Sequence, residues 1–243
     1  KEKGRLVRYE AKDITPDMSF LEMLDVLNEE LIRKGEDPIA FDHDCREGIC
    51  GMCAQVINGI PQGPQKKTTV CQLHMRHFKN GDIIYIEPLR ARAFPVIRDL
   101  IVDMSRFFEY YRFIDPVFAP AGPDPERERT MTPAAARDLH TYTACILCGA
   151  CFGACPVNAR DPHYLGPAAL AALYRFRIDP REGRGIERLS RADTPEGWWA
   201  CEFHGNCRRV CPKGVPPNVA IGKARQELTA AKRGTPMAGG EKR

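Results

Sequence analysis

The chain has 243 residues, 43% hydrophobic and 28% charged, the balance of a globular protein able to bury a core. Its longest wholly apolar stretch, residues 168–174, falls far short of the roughly 20 residues of a membrane span, and no signal-peptide pattern opens it, so secretion is not expected. The net charge of +4 divides into −2 over residues 1–115 and +6 over 116–243; no groove-reading motif or aromatic platform accompanies that excess, which argues against nucleic-acid binding.

Leu6 to Glu10 reads as a strand. Ser19 as N-cap, Glu22 three residues on, and Met18 opposite Met23 as a hydrophobic staple announce the first helix. Leu21, Leu24, Leu27, Leu31 and Ile32 mark one face of it, and Gly35 is placed to end it. Ala54 to Ile57 followed by Asn58-Gly59 reads as a strand entering a tight turn; Ile83 to Ile86, after Asn80-Gly81, reads as another. Between them lie Cys45-x4-Cys50-x2-Cys53 and, after 17 residues, Cys71. This is the plant-type [2Fe–2S] spacing. Gly48 and Gly51 sit between the ligands, where a missing side chain lets backbone N–H groups approach the cluster sulfurs.

Phe94 to Phe113 is aromatic-rich and predicted helical from Asp99 onward, with an apolar face suited to packing between domains. Five of the ten residues 116–125 are Pro or Gly, the mark of a boundary. Beyond it the pattern is helical: Pro133 to Tyr142, Pro167 to Phe176 and Pro217 to Ala231 each begin with a proline suited to a first turn. Here Cys145-x2-Cys148-x2-Cys151-x3-Cys155-Pro156 is followed by Cys201-x5-Cys207-x3-Cys211-Pro212. Counting His204 as a cysteine position, the second run repeats the spacing of the first.

Thiolates suit soft iron, and the first run has the spacing of bacterial two-cluster ferredoxins, in which the fourth cysteine ligates the other cluster. That pattern assigns Cys145, Cys148, Cys151 and Cys211 to a [4Fe–4S] cluster. Cys155, Cys201 and Cys207 remain for a second, where His204 occupies the fourth position; a corner iron without a ligand is easily lost, which predicts [3Fe–4S]. With Cys45, Cys50, Cys53 and Cys71, all 11 cysteines are used. The alternatives are tetrahedral zinc, for which the three-step ladder is unusual, and a His204-ligated [4Fe–4S] cluster. His43, His74, His77, His140 and His163 show no ligand spacing and are expected to be structural or exposed. No P-loop, G-x-G-x-x-G or nucleophile–base pair is present, so no catalytic residue is expected on a chain that reads as an electron conductor.

On these residues the chain resembles the iron–sulfur subunit of succinate dehydrogenase and fumarate reductase. The motifs are Cys45-Arg-Glu-Gly-Ile-Cys-Gly-Met-Cys53, Phe94-Pro-Val-Ile-Arg-Asp-Leu100, Cys145 to Pro156, and Cys207-Arg-Arg-Val-Cys-Pro-Lys-Gly-Val-Pro216. The resemblance implies an α+β chain: a plant-type ferredoxin (β-grasp) domain over 1–115, a linker over 116–132, and an all-α bacterial-type two-cluster ferredoxin domain over 133–243. It implies a flavoprotein partner carrying FAD, a membrane anchor bearing haem b, and electron flow from FAD through [2Fe–2S], [4Fe–4S] and [3Fe–4S] to a quinone. The setting would be respiratory complex II, at the cytoplasmic face of a bacterial plasma membrane. A quinol:fumarate reductase is the alternative within the family, and a free-standing soluble multi-cluster ferredoxin the alternative outside it.

Three departures from the family pattern follow. The loop 59–69 is longer than in mitochondrial-like members, which suggests a flavoprotein contact, a solvent shield or a plain surface loop. Ubiquinone-using members carry a Trp shortly after the Cys-Pro matching Cys155-Pro156, whereas Val157-Asn-Ala-Arg160 follows here. Both features resemble the menaquinone-using branch. Family members also begin with a strand before Leu6, and the chain opens at Lys1, so preceding sequence is expected. By motif position, Pro156, Arg160 and His204 would lie near the quinone, and the +6 of residues 116–243 would offset the negative charge of thiolate-ligated clusters.

Overall fold

A computed structural model describes residues 4–89 and 93–233. Helix α1 (Phe20–Arg33) forms where its signals place it: Ser19 Oγ accepts the Glu22 N–H, and the Glu22 carboxylate accepts the Ser19 N–H. Two donors that the first helical turn leaves open are thereby satisfied. The buried stripe is Phe20, Leu21, Met23, Leu24, Leu27 and Leu31. Ile32 is exposed rather than part of it, because it lies about 100° around the helix from Leu31. The stripe packs on residues 70–73, where the Leu73 carbonyl accepts the Phe20 N–H and Val70, Leu73, Cys53 and Cys71 share the same core.

Strand β1 (Gln55–Ile57) pairs antiparallel with β2 (Ile60–Pro61) and β3 (Ile86–Pro88), in the order β2-β1-β3. Asn58 and Gly59 both take positive φ, as a two-residue turn matched to strand twist requires. The strand expected at Ile83 to Ile86 begins only at its last residue. The Asn58 side chain accepts the Tyr85 N–H and the Tyr85 carbonyl accepts the Asn58 N–H, both at 2.8 Å, so the turn residue takes the bonds a longer ladder would use. Leu6 to Glu10, expected as a strand, pairs with no described strand; Leu6, Val7 and Tyr9 are exposed, since the sheet is completed without them.

The helix expected from Asp99 starts later. Val96–Arg98 (β4) and Ile101–Val102 (β5) form a hairpin around Asp99, whose φ is 47° and whose carboxylate accepts the Ala40 N–H. β-Branched residues on both arms favour extended backbone. Helix α2 (Ser105–Phe113) follows, its first N–H satisfied by the Asp103 carboxylate.

The rest is helical: α3 (Pro133–Thr143), α4 (Ala150–Gly153), α5 (Pro156–Arg160), α6 (Gly166–Ile178), α7 (Gly185–Ser190), α8 (Asn206–Arg209) and α9 (Pro217–Lys232). The prolines expected to open α3, α6 and α9 do stand in their first turns. Helix α6 is buried nearly all round, as an apolar surface on every side requires, with α3, α7 and α9 against it. No described helix is long and apolar enough to cross a membrane.

Residues 116–132 form no helix or strand and are strapped to the helical half. Arg188, 2% exposed, donates to the carbonyls of Asp115 and Val117 and to Glu182; Arg184 pairs with Asp115 at 2.5 Å. A mixed core joins the halves: Val56, Leu89, Phe94 and Phe107 pack with Cys148, Ala150, Phe152 and Ala168. The Phe152 ring centre lies 5.2 Å from that of Phe94 and 5.7 Å from that of Phe107.

Candidate metal centres

Cys45 begins a loop in which Arg46, Gly48 and Gly51 take positive φ. That path turns the N–H groups of Glu47, Ile49 and Cys50 onto Cys45 Sγ at 3.3–3.4 Å. Those donors, the Glu47 N–H foremost, bring the Cys45 thiol down to about 7. The Met52 N–H points at Cys50 Sγ (3.5 Å). Cys71 arrives on the turn 70–72, where a hydrogen bond from the Cys53 thiol holds it at about 5 and drives Cys53 upward; Thr69 Oγ1 adds a contact at 3.3 Å. Arg46 ties the loop to α1 through Asp25 (2.5 and 3.0 Å), and the Arg46 carbonyl accepts Gln72 Nε2 (2.7 Å).

The second group is Cys145, Cys148, Cys151 and Cys211. Leu147 and Gly149 are left-handed, and Gly149 caps α4, which carries Cys151. Burial pushes Cys148 up to about 12, Cys151 well above its usual range and Cys145 upward; a charge on Cys211 would raise all three further. These thiols stay protonated until a metal takes the proton's place.

The third group is Cys155, Cys201 and Cys207, close enough that a charge on Cys201 raises the pKa of both Cys155 and Cys207. Burial lifts Cys207 to about 11 and also raises Cys155, while the N–H groups of Asn158 and Val157 face Cys155 and that of Phe203 faces Cys201 at 3.4 Å. The three thiols line a small cavity with Pro156, Tyr164 and His204.

The two runs repeat in three dimensions. Leu147 and Gly149 have φ of 54° and 73°; Phe203 and Gly205 have 57° and 77°, and Gly205 caps α8 as Gly149 caps α4. The backbone that presents Cys148 in one run therefore presents His204 in the other. His204 Nε2 lies 2.8 Å from the Glu202 carboxylate, which also pairs with Arg160. Sequence reading missed Glu202, because only the left-handed turn at Phe203 folds it back on His204. It also missed Tyr164, which closes over the third group, and Arg225. From α9, Arg225 donates to the carbonyls of Trp198 and Cys201 (2.7 and 2.8 Å) and covers Phe203.

The first and second groups face each other. A Cβ on Gly51 would collide with the Ile146 carbonyl and crowd Cys148. The loop 59–69 is built into this junction: Gln62, Gly63 and Thr69 are buried, and Lys67 lies against Gly214.

Among the described residues no three His, Cys, Asp or Glu side chains are set to hold a single metal ion. The donor set is instead all thiol, in three groups. N–H groups aim at the sulfurs of the first and third, and a left-handed glycine turn exposes the ligands of the second. Those are the features an iron–sulfur cluster needs.

Residues 1–109 match a family model described as a 2Fe-2S iron-sulfur cluster binding domain, and 141–215 one described as a 4Fe-4S dicluster domain. The chain is 32% identical over 236 residues to the fumarate reductase iron-sulfur subunit of Escherichia coli O6:H1, covering 93% of this chain and 92% of that one. It is 36% identical over 220 residues to the Mycobacterium tuberculosis subunit of the same name, covering 90% and 83%. With the succinate dehydrogenase iron-sulfur subunit of Coxiella burnetii it shares 33% over 219 residues, 89% of each chain. Its fold superposes on a chain of the Mycobacterium smegmatis Sdh1 complex in the apo form with a TM-score of 0.76 at 22% identity, over 93% of this chain and 90% of that one.

Proposed function

Because the chain belongs to the family of succinate dehydrogenase and fumarate reductase iron–sulfur subunits, we propose that it conducts electrons in a succinate:quinone oxidoreductase, from FAD on a flavoprotein subunit to a membrane quinone. The division of 11 cysteines into three groups, one with His204 where its counterpart has Cys148, carries this reading. Cys45, Cys50, Cys53 and Cys71 hold [2Fe–2S]; Cys145, Cys148, Cys151 and Cys211 hold [4Fe–4S]; Cys155, Cys201 and Cys207 hold [3Fe–4S]. The ferredoxin domain runs over 1–115 and the two-cluster domain over 133–243, joined by 116–132.

Bound clusters supply one-electron centres whose potentials follow cluster type and hydrogen bonding. The chain's own part is to hold them dry and fixed. Backbone N–H groups face the sulfurs of Cys45, Cys155 and Cys201. Tyr164 and Arg225 close over the third group. Pro156 and His204 line its outer cavity, with Arg160 joined to His204 through Glu202. We place the quinone head group there, beside the His204 imidazole, which Glu202 orients through Nε2.

Val157 to Arg160 in place of a Trp after Cys155-Pro156 supports menaquinone and, with it, a haem-bearing anchor on the cytoplasmic face of a bacterial membrane. The relatives named fumarate reductase support the opposite direction of flow, quinol to fumarate, as the second reading.

EPR of the purified complex, as isolated and after dithionite, tests the wire. A paramagnetic centre when oxidised and two further centres on reduction are expected; no oxidised signal would mean that His204 ligates a second cubane. Comparing succinate-dependent menaquinone reduction with menaquinol-dependent fumarate reduction decides the direction. Isolation of this chain without a flavin-bearing partner would favour a free-standing ferredoxin.

A further inference from the structure

We propose that Gln62 is a positioning residue for the middle centre: its side-chain amide donates an N–H to Cys148 Sγ and raises the reduction potential of the cluster that Cys148 holds. This role rests on the ligand assignment above. Gln62 is 2% exposed and belongs to the loop 59–69, which no cysteine spacing marks as functional. Its Oε1 accepts the Val70 N–H at 3.1 Å. That bond fixes the amide's orientation, because the flipped form would set donor against donor. Nε2 therefore points the other way, buried and without a hydrogen-bond partner of full geometry among the described residues. The Cys148 thiol lies within reach of this amide, across the junction where Val56 packs on Cys148.

A buried amide with two unused N–H donors is costly unless an acceptor arrives. A neutral thiol is a poor acceptor; a metal-bound thiolate is a strong, charge-assisted one. Reduction adds negative charge to the cluster and its thiolates. A donor aimed at Cys148 Sγ thus stabilises the reduced state more than the oxidised state. The donor is held from the far side by the backbone next to Cys71. One amide is fixed to the [2Fe–2S] ligand turn and aimed at a [4Fe–4S] ligand. Cys45 has its own donors from Glu47, Ile49 and Cys50, so loss of the Gln62 N–H donors should act on the middle centre. Loss of Oε1, which frees the Val70 N–H beside Cys71, is the one route by which the substitution reaches the [2Fe–2S] ligands.

The test is an EPR-monitored redox titration of the complete complex, wild type against Gln62→Met, which keeps the side chain's length and loses its donors. The expected result is a lower [4Fe–4S] midpoint by about a tenfold change in the reduction equilibrium, about 59 mV for one electron, with the [3Fe–4S] midpoint unmoved. A packing role alone would leave all three midpoints in place, and that result overturns the proposal. Pulsed EPR of wild type grown with side-chain 15N-glutamine needs no variant: coupling of that nitrogen to the reduced [4Fe–4S] centre is expected, and its absence overturns the proposal. A wild-type complex with no [4Fe–4S] signal would instead overturn the ligand assignment itself.

Discussion

At Gly51 a missing side chain serves an approach between two distant loops. Gly51 and Gly59 share φ of 78°, but a Cβ on Gly59 would meet open space whereas one on Gly51 would meet the backbone of 146–148. Gly59→Ala should cost only backbone strain, about 1–2 kcal/mol. Gly51→Ala should cost clearly more and loosen the junction, read as a larger fall in the melting temperature of the cluster-loaded complex. Spacing alone marked Gly51 as a residue admitting N–H groups to sulfur; its partner loop lies some ninety residues away, beyond any local pattern. His204 was legible as the odd member of a repeat, and the matching left-handed turns give that a physical basis. His204→Cys should therefore supply a fourth thiolate, replacing the oxidised-state [3Fe–4S] EPR signal with one that appears on reduction. Glu202 and Arg160 were not legible as its companions, because a turn that brings i and i+2 side chains together leaves no periodic trace.

Among the elements, those with chemical start signals could be read and those defined by pairing could not. The Ser19–Glu22 box and the opening prolines of α3, α6 and α9 act within one turn. Ser19→Ala should cost about 1 kcal/mol in a denaturation experiment. The hairpin β4–β5 and the late start of β3 depend on which partners Ala40 and Asn58 find first, a tertiary outcome. The strap over 116–132 shows the same limit: a Pro-rich boundary was visible, but nothing in the sequence marked Arg184 and Arg188 as its anchors. Burial disfavours the Glu182 carboxylate's charge, yet the Arg188 hydrogen bond and the N–H groups of Ala119 and Arg184 together hold its pKa below 4.5. The pair's stabilisation is thus complete above that pH and fades as pH falls through the lower folded value. Arg188→Ala leaves the buried Glu182 carboxylate held by Arg184 (3.3 Å) and the Ala119 N–H but without its buried arginine partner, at a cost of about 1–3 kcal/mol. Limited proteolysis should show faster cleavage within 116–132 at neutral pH, and the gap to wild type should narrow below pH 4.5 under an acid protease.

For the whole molecule, the thiols of the helical half are held against their own ionisation. Burial keeps Cys148, Cys151 and Cys207 protonated, so cluster insertion must expel protons and cluster loss must leave mutually crowded thiols. Oxidative removal of iron with a chelator should unfold the helical half, seen as lost far-ultraviolet helical signal, with reassembly accelerating as pH rises. The aromatic contact of Phe94, Phe107 and Phe152 has a separate consequence. Electron tunnelling decays exponentially with the gap it crosses, so a ferredoxin on a free tether would deliver current only during chance encounters. Here three interlocked rings clamp that gap to one width. Transfer between the halves should then run at a rate set by driving force alone, indifferent to the viscosity of the surrounding solution.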